Sequence, residues 1–177
     1  GMAHAEAYIR NLFLSKSEKN IVNHYTYVLA SDGDLQEPVT LGSASLAGHL
    51  NLSKLIVFYD ANSAQISGDT MRSDSTNYSK VFEGFGWHVQ EIDGHNHEQL
   101  DSAIMEAKFS DRPSIIIGKT IMANGTATME GDHNTHGAPL PMEEIQETKK
   151  KLGLPLEEFY FPEEVKLHFA ERFDSLK

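Results

Sequence analysis

Residues 54–59 read Lys54-Leu55-Ile56-Val57-Phe58-Tyr59, an almost continuous apolar run of strand length. A run that does not alternate with polar residues predicts a strand buried on both faces, as in a parallel sheet. Residues 113–119 read Pro113-Ser114-Ile115-Ile116-Ile117-Gly118-Lys119 and show the same pattern. A proline is tolerated at the start of a strand. We therefore expect two buried strands of one parallel sheet.

Strand-like and helix-like segments alternate on either side of these two runs. Residues 24–30 are rich in β-forming residues and residues 87–92 alternate in polarity, so both predict strands. Alternation of this kind predicts an α/β domain, a three-layer parallel sheet of about four strands with helices on both faces. The segments with helical patterns are 3–18, 37–50, 78–85, about 97–109, a segment that begins at Pro141, and 163–173.

Composition narrows the class of protein. The chain has 177 residues, the length of one domain, and no cysteine, which excludes disulfides and thiolate chemistry. Its net charge of −11 repels phosphate backbones, so we expect no nucleic-acid partner. No apolar run approaches the roughly 20 residues that span a bilayer, and the first residues lack a signal pattern. We expect a cytoplasmic protein without a membrane partner.

Polar residues gather where each predicted strand ends. The segments are Ser31-Asp32-Gly33-Asp34, Asp60-Ala61-Asn62, Asp93-Gly94-His95 and the loop Asp132-His133-Asn134-Thr135-His136-Gly137. Ligands of open parallel sheets bind beyond the carboxyl ends of the strands. These four segments are therefore the candidate site.

Asp32 and Asn62 offer side-chain oxygens from two of these strand ends. With a backbone carbonyl they would form a partial shell for a hard cation such as Mg²⁺, and Gly33 would leave room for a phosphate. A purely structural interpretation is also open. Asp-Gly is a common turn after a strand, and Asp-x-Asn commonly forms an Asx turn.

The spacing of these residues resembles a known signature. Asp32-Gly33, followed after 28 residues by Asn62, is similar to the thiamine diphosphate signature of the transketolase family. The other segments that resemble this family are His24-Tyr25-Thr26-Tyr27, Ser45-Leu46-Ala47-Gly48, Lys54-Leu55-Ile56, Phe58-Tyr59-Asp60, Phe82-Glu83, Gly86-Trp87-His88-Val89, Ile92-Asp93-Gly94-His95, Lys119-Thr120-Ile121 and His136-Gly137-Ala138-Pro139-Leu140.

The resemblance implies a partial domain with a thiamine diphosphate-binding fold. Residues 1–177 would be the later part of the diphosphate-binding domain, without its N-terminal part and without the pyrimidine-binding and C-terminal domains. The implied activity is transfer of a two-carbon ketol unit between sugar phosphates. This chain would be inactive alone, because the pyrimidine-domain glutamate that activates the cofactor is absent. Its partner would be a second copy in a homodimer or a complementary chain that carries the pyrimidine domain.

The resemblance also implies roles for individual residues. Asp32, Asn62 and the main-chain carbonyl of Ala64 would bind Mg²⁺ or Ca²⁺, and thiamine diphosphate would sit against the backbone at Gly33. His136 would approach the cofactor and the substrate hydroxyls and help to move protons, a task suited to an imidazole.

Glu37 would join a carboxylate network across the dimer interface, although an acid in the first turn of a helix is also favourable by itself. Other notable residues have plainer interpretations. We expect Trp87 in the core and Lys119 as a solvated or paired charge at its strand end. Loop or surface positions are expected for His88, His95 and His133.

The sequence departs from the family pattern at three glycines. Ser31, Pro38 and Ser63 stand where the family has glycine, and the Ser31 hydroxymethyl could clash with a diphosphate or donate to it. Two alternatives stay open, and these changes and the missing segments favour the first of them. The chain could be a non-enzymatic remnant or interaction module that no longer binds cofactor. It could also belong to a related thiamine enzyme such as a dihydroxyacetone synthase or a deoxyxylulose-phosphate synthase.

Overall fold

The computed structural model describes residues 1–14, 22–66 and 68–176. Its centre is a parallel sheet of four strands flanked by helices, which confirms the predicted α/β class. The strands of this sheet are β1 (Thr26–Ser31), β2 (Leu55–Ala61), β5 (His88–Asp93) and β6 (Ser114–Lys119). They lie side by side in the order β1-β2-β6-β5.

The two apolar runs form the middle of the sheet, and their side chains alternate between two cores. Val57 and Ile115 face one core, while Ile56 and Ile116 face the other. This alternation explains why neither run alternates with polar residues, since both faces are covered. The helices are α1 (Met2–Leu14), α2 (Asp32–Gln36), α3 (Pro38–His49), α4 (Tyr78–Gly84), α5 (His97–Phe109), α6 (Met142–Lys151) and α7 (Glu163–Asp174).

Small residues allow α3 to pack closely on the turn that follows α4. A Cβ atom at Gly48 would lie 1.9 Å from the Phe85 carbonyl oxygen, so only glycine fits there. The neighbouring Trp87 is 3% exposed and its indole Nε1 donates to the Ala44 carbonyl at 2.8 Å. Trp87 is therefore in the core, as predicted.

Helix α1 buries small and acidic residues instead of large apolar ones. Glu6 is buried and accepts from Lys54 Nζ at 2.8 Å, while Arg10 Nε lies 3.2 Å from the same carboxylate. The large apolar side chains of the helix are exposed. They are Met2, Tyr8, Ile9, Leu12 and Phe13. The helix was expected to reach Glu18, and residues 15–18 lie outside the described part of the chain.

The loop after β6 is long but tied down by polar contacts. Thr128 donates to Glu144 through its backbone N–H and its hydroxyl, each at 2.7 Å, and both bonds lower the pKa of Glu144. Lys151 Nζ donates to the Thr126 carbonyl at 2.7 Å. These contacts hold the loop against α6. Among the described residues, no helix is long and apolar enough to cross a membrane.

Candidate functional site

Asp32 stands at the junction of β1 and α2 and carries a buried carboxylate. The residue is 6% exposed, and its Oδ1 accepts a hydrogen bond from the Tyr59 hydroxyl at 2.6 Å. Its Oδ2 is buried and has no hydrogen-bond partner among the described residues. Burial raises the pKa of Asp32, which the Tyr59 bond and the nearby backbone N–H groups of Ser63 and Asn62 partly oppose. A buried oxygen of this kind is suited to a cation.

Asn62 closes an Asx turn just after β2. Its Oδ1 accepts from the Ala64 backbone N–H at 2.9 Å, so the Asx turn spans residues 62–64 and its Asx residue is Asn62 rather than Asp60. Ala64 begins β3 (Ala64–Gln65), which pairs with β4 (Gly68–Asp69) and lies against α2. Helix α2 contacts β2 and β3, and Ser31 is paired in register with Asp60, so this turn lies beside the start of α2, where Asp32 is. The structure thus brings together the ends of β1 and β2.

A second acidic residue, Asp60, connects the same turn to the next strand. Its Oδ2 accepts from the Asn62 amide Nδ2 at 3.2 Å, and its Oδ1 accepts from the Thr120 hydroxyl. Its negative charge is one of the causes that raise the pKa of Asp32. Negative charge therefore accumulates where β1 and β2 end.

Two of the departures from glycine are accommodated locally. Ser31 directs its hydroxyl and its N–H to Asp34 Oδ2, each at 2.8 Å, and these bonds lower the pKa of Asp34. Pro38 occupies the first position of α3, where its missing N–H has no helical partner to lose. Nothing lies within 4 Å of a Cβ built at Gly33, so the space there is open.

Ser63, the third departure, is held in an unusual backbone conformation. Its φ of 59° lies in the left-handed region that favours glycine. The turn after Asn62 therefore keeps the shape that glycine would adopt, and a serine sustains it at an energetic cost.

His95 links the turn after β5 to the loop after β6. Its Nε2 accepts from the Ile121 backbone N–H at 2.8 Å, and its Nδ1 lies 3.2 Å from the Asn124 amide. These contacts make it a structural loop residue, as expected. Together the four strand ends enclose one cleft. Its lining includes Ser31, Asp34, Asp60, Asn62, Gly94, His95, Thr120 and Ile121.

His136 and Glu37 lie outside this hydrogen-bonded cluster. His136 is exposed and ends the short 3-10 turn His133–Thr135, donating its backbone N–H to the His133 carbonyl at 3.0 Å. That turn contacts β4, which places it beside the segment that follows Asn62. Glu37 is exposed between α2 and α3, where its backbone caps α3.

The donor set at this site consists of mixed oxygens. Among the residues that the structure describes, no three His, Asp or Glu side chains lie close enough together to hold a metal ion. The predicted set is of another kind, since it combines one carboxylate with an amide oxygen and a main-chain carbonyl. The free Oδ2 of Asp32 fits such a set, because hard cations prefer oxygen ligands.

Comparison with known proteins assigns the family. The family model described as transketolase, thiamine diphosphate binding domain, matches residues 1–176. The chain belongs to the transketolase family. It is 44% identical over 173 residues to a transketolase of Aquifex aeolicus, and 40% identical over 173 residues to one of Halalkalibacterium halodurans.

Solved transketolase structures have the same fold as this chain. The Leishmania mexicana transketolase superposes with a TM-score of 0.91 at 36% identity, covering 98% of this chain and 26% of that one. The Campylobacter jejuni enzyme gives a TM-score of 0.86 at 35% identity, covering 96% of this chain and 27% of that one. The two curated relatives are covered over 25% and 26% of their length, against 97% of this chain. The chain therefore spans about a quarter of the transketolases that it matches.

The structure adds residues that the motif alone did not assign. The Tyr59 hydroxyl donates to Asp32, and the Ser31 hydroxyl donates to Asp34. Asp60 accepts from both Asn62 and Thr120. Tyr59, Asp60 and Thr120 lie in segments that already resembled transketolase. For Asp60 and Thr120 the available signal was a polar residue at the end of an apolar strand, and both line the cleft. Tyr59 gave no such signal, because it lies within the apolar run and is buried in the core.

Proposed function

We propose that this chain supplies the metal and diphosphate half of a thiamine diphosphate site in a transketolase. The observation that carries the proposal is Asp32 Oδ2, a buried oxygen with no partner among the described residues, placed beside the Asn62 turn. Membership of the family supports thiamine diphosphate as the cofactor. The donor chemistry supports a hard divalent cation, Mg²⁺ or Ca²⁺.

Three groups would hold the cation. Asp32 would contribute its free Oδ2, Asn62 its amide oxygen, and Ala64 its main-chain carbonyl. The Asn62 oxygen has two lone pairs, so one can accept from the Ala64 N–H while the other remains for a cation. Asp32 suits this role because a nearby positive charge would offset the burial of its carboxylate.

The diphosphate would lie at Gly33. A Cβ atom at this position would contact no other part of the protein, so packing within the fold does not explain the glycine. Open space next to a cation site is what a diphosphate needs for close approach. Because the Ser31 hydroxyl is already bonded to Asp34, we expect it to remain out of the way of the ligand.

His136 and Glu37 do not line this cleft, and each would have a role of its own. We propose that His136 approaches the cofactor and the substrate hydroxyls, where an imidazole can accept or donate a proton. Its place on the loop beside β4 supports this role. Glu37 is exposed and free to meet a partner subunit, which supports an interface role.

The reaction would be the transfer of a two-carbon ketol unit between sugar phosphates. Thiamine diphosphate supplies the carbanion-stabilising chemistry when it is bound, and the protein supplies binding, orientation and proton transfer. Because the chain spans a quarter of its relatives, we propose that it is inactive alone. Turnover would need the rest of the site from a complementary chain that carries the pyrimidine domain. We propose that the chain assembles with such a partner or with a second copy in a homodimer.

Titration calorimetry with Mg²⁺ and thiamine diphosphate tests this proposal. We expect binding to the unmodified chain and no binding to Asp32→Asn, which removes the charge but keeps the shape. Asp101→Asn is the matched control, because Asp101 is an exposed carboxylate on α5. If the unmodified chain fails to bind, the remnant alternative is favoured. If Asp32→Asn binds as well as the unmodified chain, Asp32 is not the cation ligand and the proposed half-site is wrong.

A further inference from the structure

We propose that Asp60 is a positioning residue that fixes the orientation of the Asn62 side-chain amide. The inference rests on the proposed function, because the orientation of the amide affects cation binding only if the Asn62 side-chain oxygen is a cation ligand. It concerns a residue that touches neither the proposed cation nor the diphosphate. Its action would be exerted through Asn62.

The two contacts of the Asn62 amide agree on one orientation. The Ala64 backbone N–H requires an oxygen opposite it, at 2.9 Å, and the Asp60 carboxylate requires an N–H, at 3.2 Å. A flipped amide would place two donors together on one side and two acceptors on the other. The Ala64 N–H fixes the side of the amide that carries the oxygen. The Asp60 carboxylate fixes the side that carries the NH₂ group, and its charge strengthens that hydrogen bond.

Asp60 is itself held in place from the neighbouring strand. Its Oδ1 accepts from the Thr120 hydroxyl just after β6, which leaves Oδ2 to face Asn62. Asp60 is half-buried at the end of β2, paired in register with Gly118 of β6 and Ser31 of β1. A carboxylate fixed at both oxygens constrains its partner better than a freely rotating one.

The same carboxylate also adds negative charge near Asp32, as its contribution to the raised pKa of Asp32 indicates. Removing Asp60 would therefore have two effects on cation binding, one through charge and one through the amide orientation. Asp60→Glu separates them, because it keeps the charge and moves the carboxylate by one methylene. Asp101→Asn is the matched control, since it removes an exposed carboxylate on α5 that is not part of the candidate site.

Two measurements on the full chain test the proposal. The first is the ¹⁵N-resolved signal of the Asn62 side-chain amide, assigned by its loss in Asn62→Asp. The second is calorimetric affinity for Mn²⁺ in the presence of thiamine diphosphate. We expect slow hydrogen exchange of the Asn62 amide in the unmodified chain and in Asp101→Asn. We expect faster exchange in Asp60→Asn and Asp60→Glu, with an affinity loss of about 10- to 100-fold in both.

The outcomes separate the two proposals. If the unmodified chain binds no Mn²⁺, the proposed function fails, while the amide exchange still decides whether Asp60 positions Asn62. Unchanged Asn62 exchange in both Asp60 variants would overturn the positioning role, even if affinity fell. An affinity loss confined to Asp60→Asn would also overturn it, because charge alone would then explain the effect. If Asp60→Asn does not fold, Asp60→Glu carries the test.

Discussion

At the scale of single residues, Asp32 carries an unbalanced buried charge. One carboxylate oxygen accepts from Tyr59 and the other has no partner among the described residues. Burial of a carboxylate without full compensation costs free energy of folding and raises its pKa. The residue that would bind the cation is therefore a cost to the cation-free fold.

We predict that Asp32→Asn stabilises the cation-free chain by about 1 kcal/mol, because a buried charge is replaced by a neutral amide. The effect should depend on pH. The pKa of Asp32 lies above its ordinary value of 3.8 in the folded chain, so the folded form holds the proton more tightly. The penalty is thus absent below pH 3.8 and grows as the pH rises through the raised pKa.

Denaturant unfolding of both chains between about pH 4 and pH 7 measures this difference, without added metal. Its increase with pH is the expected result. A difference that shrinks with rising pH would mean that the Asp32 carboxylate is stabilised by the fold.

A second prediction concerns Ser63, whose φ of 59° is costly for a side chain with a Cβ. Ser63→Gly should stabilise the chain by up to about 1 kcal/mol, since relief of strain exceeds the added entropy of the unfolded chain. The matched control is Ser102→Gly in α5, at an exposed helical position. The control should destabilise by about 0.5 to 1 kcal/mol. Thermal unfolding measures both effects, and melting temperatures that shift in the same direction in the two variants would contradict the strain argument.

At the scale of elements, the contact between α3 and the turn after α4 is decided by one missing side chain. Gly48 allows the Phe85 carbonyl to approach, and the Phe82 ring packs edge-on against Trp87 with centroids 5.0 Å apart. The helix is weak by propensity, so its place in the fold depends on this packing.

We predict opposite effects for two identical substitutions in α3. Gly48→Ala should destabilise the chain by about 3 kcal/mol, because backbone atoms must move to admit the new methyl group. Gly42→Ala should stabilise it by about 0.5 to 1 kcal/mol, since nothing lies within 4 Å of its Cβ and alanine favours helix. Free energies of unfolding from urea titration compare the two. Similar values would show that the close approach at Gly48 is not required.

The four sheet strands and the long helices were predictable because each has a clear pattern. Residues 54–59 and 113–119 are buried on both faces and contain no alternation to confuse with an edge strand. The five-residue α2 and the two-residue strands β3 and β4 were missed, because they are too short for a periodic pattern. They depend on tertiary contacts rather than on local sequence.

Some residues of the candidate site could be predicted from the sequence, but the hydrogen bonds between them could not. Asp32 and Asn62 could be found as polar residues at strand ends, and the resemblance assigned them a common function. The bonds from Tyr59 to Asp32 and from Thr120 to Asp60 could not be found, because they depend on strand order. The order β1-β2-β6-β5 places β6 beside β2, which the chain sequence alone does not reveal.

At the scale of the whole molecule, the chain presents much apolar surface outside its two cores. The edge strand β1 exposes Tyr27, Val28 and Leu29, and Leu29 is 84% exposed. The C-terminal segment exposes Phe159 and Phe161, and α7 exposes Leu167, Phe169 and Phe173. Large exposed apolar surfaces mark contacts with other proteins or domains, which agrees with the proposal that this chain needs a partner for turnover.

The central claim is that Asp32, Asn62 and the Ala64 carbonyl form a cation half-site beside Gly33. It is tested most directly by anomalous diffraction from crystals of the chain grown with Mn²⁺ and thiamine diphosphate. The claim predicts an anomalous peak within about 2.0 to 2.6 Å of Asp32 Oδ2, Asn62 Oδ1 and the Ala64 carbonyl oxygen. A peak bound by Asp34 or Asp60 instead, or no peak at the ends of β1 and β2, would contradict it.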